Sequence, residues 1–110
     1  MHTPVPKNQE DKIMEVRIQA IHFEISEHLE SFINKKIDKL VRRNESIAAV
    51  DVNLKVIKPE CAMNKEAIIK ATVPQHGEIV ATKVADSFEE AVDLALEAID
   101  RQLEKLKQKK

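Results

Sequence analysis

The alternation of apolar and polar side chains begins at Met14. In "MEVRIQAIHF", Val16, Ile18 and Ala20 alternate with Arg17 and Gln19, the period-two pattern of a half-buried strand. Ser26 then offers an N-cap to a helix whose Leu29, Phe32, Ile33, Ile37 and Leu40 form one stripe, running to about Arg43. The clearest strand follows in "AAVDVNLKVIK", with Val50, Val52, Leu54 and Val56 on one face and Asp51, Asn53 and Lys55 on the other. Pro59 ends it, and "ECAMN" reads as a loop. "KEAIIKATV" is a third strand with Ile69, Ala71 and Val73 in phase. "PQHG" is a turn whose Gly77, the only glycine in the chain, falls where a positive φ is required, and "EIVATKV" is the fourth strand. Ser87 and Glu90 form a capping box that opens a long helix, its stripe built of Phe88, Val92, Ala95, Leu96, Ile99, Leu103 and Leu106.

The predicted order is β-α-β-β-β-α. A right-handed crossover makes the first two strands parallel, and two hairpins return the fourth strand to that direction. The expected fold is therefore α+β: a four-stranded mixed sheet with two parallel helices packed on one face. Its inner α-β-β-β-α order is similar to a double-stranded RNA-binding domain core. Residues 1–13, with two prolines and no apolar period, read as a disordered arm before a single domain over 14–110.

Charge sharpens this picture. The formal net charge is −1, yet "NKKIDKLVRRN" (34–44) and "RQLEKLKQKK" (101–110) hold ten of the 18 basic side chains against two acids. Those segments carry +8, so the rest of the chain carries −9. Parallel helices would bring both clusters to one end of the domain. One or two basic residues suffice to complement a helix C-terminus. Five per end point instead to an anionic partner.

Spacing sorts the charge further. At about 100° per residue, Lys35, Lys39 and Arg42 share one flank of the first helix, with Glu27, Glu30, Asn34 and Asp38 on the other. On the second helix Arg101 and Lys105 stand apart from Glu89, Asp93, Glu97, Asp100 and Glu104. Asp93 and Glu97 are expected to face solvent, away from any anionic partner.

Other chemistry is thinly supported. One glycine cannot build a phosphate-cradling loop. His2, His22, His28 and His76 have no ligand spacing, and neither Cys61 nor Ser26 has an evident base partner. The expectation is no catalysis, no cofactor, no metal and no small-molecule substrate. No apolar run approaches membrane-helix length, the polar opening lacks a secretory signal's apolar core, and the lone Cys61 suits a reducing compartment; a cytoplasmic protein is expected. With three Phe and no Trp or Tyr, the sheet offers no platform for stacking bases. Recognition of phosphates and shape by Lys and Arg is what remains, and it suits folded RNA.

The segments "MEVRIQAIHFEIS", "KKIDKL", "VDVNLKVIK", "HGEIVAT" and "AVDLALEAIDRQLEKLKQK", in this order, resemble the short ribosome hibernation promoting factors and ribosome-associated translation inhibitors, also labelled sigma modulation proteins. The resemblance implies a domain that lodges in the decoding channel of the small ribosomal subunit, over its rRNA, and silences whole ribosomes in stationary phase or starvation. Lys36 and Lys39 match the family's paired lysines, and Arg101, Lys105 and Lys107 match its basic closing helix. Arg42 and Arg43, with Lys35, extend the first cluster. Glu89 and Glu90 depart from the aromatic and small residues often found at the start of that helix, and Ala98 from a lysine often found nearby. A chain ending at Lys110 resembles the short form, expected to be monomeric off the ribosome. A general double-stranded RNA binder and a protein-interaction module stay open as alternatives.

Overall fold

A computed structural model describes residues 15–57, 63–74 and 76–108, with side chains to Leu106. The expectations for the arm over 1–13, the loop around Pro59 and Cys61, and the side chains of Lys107, Lys109 and Lys110 lie outside the described residues. The elements are β1 (Glu15–Ile21), α1 (Glu27–Arg43), β2 (Ala49–Val56), β3 (Lys65–Val73), β4 (Gly77–Ala85) and α2 (Phe88–Gln108). They form one sheet in the order β1-β2-β3-β4. β1 runs parallel to β2, and β3 is antiparallel to both of its neighbours. This is the α+β arrangement read from the sequence.

The strand pattern places the core. In register, Ile18 meets Val52, Val52 meets Ile69 and Ile69 meets Ala81, so one phase of every strand lies on one face. That face buries Val50, Val52, Leu54, Ala67, Ile69, Ala71, Val73, Ile79 and Ala81 against Leu29, Ile33, Ile37 and Leu40 of α1 and Val92, Ala95, Leu96, Ile99 and Leu103 of α2. Both apolar helix stripes thus enter one core on one side of the sheet. β1 is an edge strand covered on one flank only, and its Val16 remains 37% exposed although it is in phase with the core.

Local chemistry sets the boundaries. The Leu29 N–H donates to Ser26 Oγ at 3.1 Å, the expected cap of α1. The Glu90 N–H donates likewise to Ser87 Oγ at 3.2 Å, opening α2. At the far end of α1, Asn44 is buried; its backbone N–H donates to the Leu40 and Val41 carbonyls and its Nδ2 to the Leu40 carbonyl at 2.9 Å. Two features were not legible as strand or helix. β1 stops at Ile21 because His22 takes a left-handed conformation, φ 66°. The chain then turns so that Phe23 stacks on Phe88, ring centroids 4.8 Å apart.

Gly77 has φ +85°, and no atom lies within 4 Å of where its Cβ would stand. Gly77→Ala therefore meets no clash, only the backbone cost of a left-handed L-residue, about 1–2 kcal/mol. The expected result is a lower denaturant midpoint with an unchanged slope; an unchanged midpoint would show that the turn relaxes to another conformation.

Candidate nucleic-acid interface

α1 and α2 lie side by side, and their ion pairs fix the register. Lys36 Nζ is 3.0 Å from Asp93 Oδ1, and Arg43 Nη1 is 3.1 Å from Asp100 Oδ2. Both partners advance by seven residues, two helical turns, so the helices are parallel, with Arg101 just past the level at which α1 ends and the last two turns of α2 running on beyond it. Asn44 adds a third tie, its Nδ2 donating to Asp100 Oδ1 at 3.3 Å. Asp100 is well covered, at 21% side-chain exposure, because it serves both Arg43 and Asn44.

This arrangement corrects one expectation. Asp93 is not on a flank turned away from the basic cluster; it lies on the shoulder of α2 that faces α1. Glu97 lines the same inter-helix groove as Lys36, Lys39, Arg43, Asp93 and Asp100. Helical spacing alone does not reveal how a helix is rotated toward its neighbour. That rotation is set by burial of Val92, Leu96, Ile99 and Leu103, which turns Asp93 and Asp100 up beside α1. The matching seven-residue steps, Lys36 to Arg43 and Asp93 to Asp100, were the signal available in the sequence.

The other basic residues are less engaged. Lys35 and Lys39 are exposed on α1 and have no ion-pair partner among the described residues. Arg42 pairs with Asp38 one turn earlier, at 3.1 Å, bridging the two flanks of α1. Lys36 is half-buried: its ammonium lies 5.6 Å from the centre of the Phe32 ring, so ring and carboxylate both hold it. On α2, Arg101 and Lys105 are exposed and unpaired among the described residues. About 100° per residue puts Arg101 roughly 80° round the helix from Asp93, further from α1. Lys107 occupies the last turn of α2.

The two-helix surface is therefore banded. A basic band on α1 (Lys35, Lys36, Lys39, Arg42, Arg43) is followed by an acidic shoulder on α2 (Asp93, Glu97, Asp100), then by Arg101 and Lys105. Such a surface can engage phosphate through ammonium and guanidinium groups, with the carboxylates setting how freely it does so. Among the described residues no three His, Cys, Asp or Glu side chains could hold a metal ion, and no helix is long and apolar enough to cross a membrane.

A fold of this order, with helices carrying sorted charge on one side of a mixed sheet, defines a class that can be compared with known proteins. Residues 16–110 match the family model described as "Sigma 54 modulation protein / S30EA ribosomal protein". The chain belongs to this family. It is 31% identical over 97 residues to a ribosome hibernation promoting factor of Azotobacter vinelandii, covering 87% of this chain and 85% of that one. A protein of the same name from Pseudomonas putida is 30% identical over 96 residues, with 87% and 89% covered. Among solved structures, a ribosomal subunit interface protein from Coxiella burnetii superposes with a TM-score of 0.76 at 22% identity, over 87% of this chain and all of that one. The Protein Y N-terminal domain of Thermus thermophilus gives 0.68 at 19% identity, covering 86% and 98%. At these identities the two structures attest the fold.

Proposed function

We propose that this chain is a ribosome-binding translation inhibitor: it occupies the decoding channel of the small subunit, lays its banded helix face on rRNA, and blocks mRNA and tRNA binding during stationary phase or starvation. It acts by occupancy, without catalysis or cofactor, in the cytoplasm. The observation that carries the reading is the parallel pairing of α1 and α2 on one side of the sheet, which sets Lys35, Lys36, Lys39, Arg42 and Arg43 of α1 beside a helix that continues into Arg101, Lys105 and Lys107, in a member of this family. The names of the relatives from Azotobacter and Pseudomonas support it.

Binding of this kind is salt-steep, because each phosphate neutralised releases about 0.9 counterion on duplex-like nucleic acid and somewhat less on single strands. If about half of the clustered basic residues contact phosphates, affinity falls by roughly two or more powers of ten between low and moderate salt. Sedimentation of a stationary-phase lysate at the two salt concentrations checks this. The expected result is co-migration with small subunits or whole ribosomes at low salt, lost at high salt. A flat salt response would favour a protein-interaction module. Equal affinity for free RNA duplexes and for ribosomes would favour the general double-stranded RNA binder.

A further inference from the structure

The acidic shoulder of α2 sits where a phosphate-binding surface would be expected to carry none. Asp93 is 57% exposed yet occupies the ammonium of Lys36, which the Phe32 ring also holds. Glu97 lines the groove one turn on and has no ion-pair partner among the described residues. Neither is needed for the core, and Asp100 already ties the helices together through Arg43 and Asn44. Two accessible carboxylates are thus left between the basic band of α1 and Arg101 and Lys105 of α2.

We propose that Asp93 and Glu97 are specificity-determining residues of this surface: they reject bare polyanions and favour RNA that places hydrogen-bond donors between its phosphates. The inference rests on the RNA-binding reading above and names how that same surface selects its ligand. A chain of phosphates laid across the groove must displace Asp93 from Lys36 and bear the repulsion of Glu97, and it has nothing to donate to either carboxylate. RNA differs in chemistry. Its shallow groove presents 2′-hydroxyls and base amino groups beside the phosphates. A carboxylate accepts from such donors in a charge-assisted bond, about twice as strong as a neutral one. The bands basic, acidic, basic thus match phosphate, donor, phosphate.

The test compares the full chain with the double variant Asp93→Asn/Glu97→Gln, measuring affinity for purified ribosomes and for long-chain inorganic polyphosphate at one salt concentration. Polyphosphate affinity should rise about fivefold, the order to which an exposed ion pair contributes. Ribosome affinity should fall about threefold as charged acceptors become neutral ones. The ratio of the two affinities should therefore drop about tenfold or more. Glu97→Gln alone, which breaks no ion pair, should move both affinities in the same directions by less, and guards against a folding defect in the double variant. Unchanged polyphosphate binding, or an equal rise for both ligands, would overturn the inference while leaving ribosome binding intact. Failure of the unmodified chain to bind ribosomes would overturn the functional reading and this inference together.

Discussion

Reversing Lys36 and Lys39 to Glu should abolish ribosome binding and translation inhibition, with affinity lower by roughly two powers of ten or more at low salt. The double reversal changes the basic band of α1 by four charge units and would turn the two proposed phosphate contacts into repulsions. Lys36 carries an additional effect. Its replacement removes the ammonium that lies 3.0 Å from Asp93 Oδ1 and puts a second negative charge on the same side of the groove, and it strips the cation from the Phe32 ring. Surface charge changes usually stay within about 0.5 kcal/mol, but the loss of this half-buried stem and the new like-charge pair can exceed that. A second variant, Lys35→Glu/Lys39→Glu, touches no ion pair among the described residues and should lose binding without loss of melting temperature. Co-sedimentation with ribosomes, a cell-free translation reaction and melting curves read the three quantities. Undiminished binding by either folded variant would remove α1 from the interface.

The second large effect is on stability. Ile33 is fully buried on the stripe of α1 and belongs to the core shared with β2 and α2. Ile33→Ala removes buried methyl and methylene groups and leaves a cavity, at a cost of about 2–5 kcal/mol. Against a total of about 5–15 kcal/mol for a domain, much of the margin is gone. A domain of this size should lose roughly 10 °C or more in melting temperature. Val16→Ala makes the contrast, because Val16 is in the same strand phase but 37% exposed at the sheet edge. It should cost well under half as much. Equal losses at the two positions, read by chemical denaturation, would mean that the core is not centred between α1 and the inner strands.

How much of this was legible depended on which forces act locally. β3 spans Lys65–Val73, the very segment whose alternation marks it, because period-two burial in a strand covered on one face is written directly into side-chain type. Ser26, Ser87 and Gly77 were legible for the same reason: a cap or a positive φ is satisfied within a few residues. The end of β1 was not. His22 adopts φ 66° without glycine's freedom, and the compensating contact, Phe23 on Phe88, joins residues 65 positions apart. At the interface, the parallel course of the two helices followed from topology. The insertion of Asp93, Glu97 and Asp100 between them did not, since it depends on how far α2 is rolled about its axis as it settles on β3 and β4. Charge counts treat these acids as distant, whereas the fold makes Asp93 and Asp100 the immediate counter-ions of Lys36 and Arg43.

The most direct measurement is competition on purified small subunits. Subunits saturated with the protein at low salt are offered labelled mRNA and tRNA, and bound label is counted on filters. Occupancy of the decoding channel predicts that both are excluded, that the Lys35→Glu/Lys39→Glu variant restores them, and that subunits already loaded with mRNA and tRNA bind the protein poorly. Simultaneous full binding of the protein, mRNA and tRNA to one subunit would contradict the account.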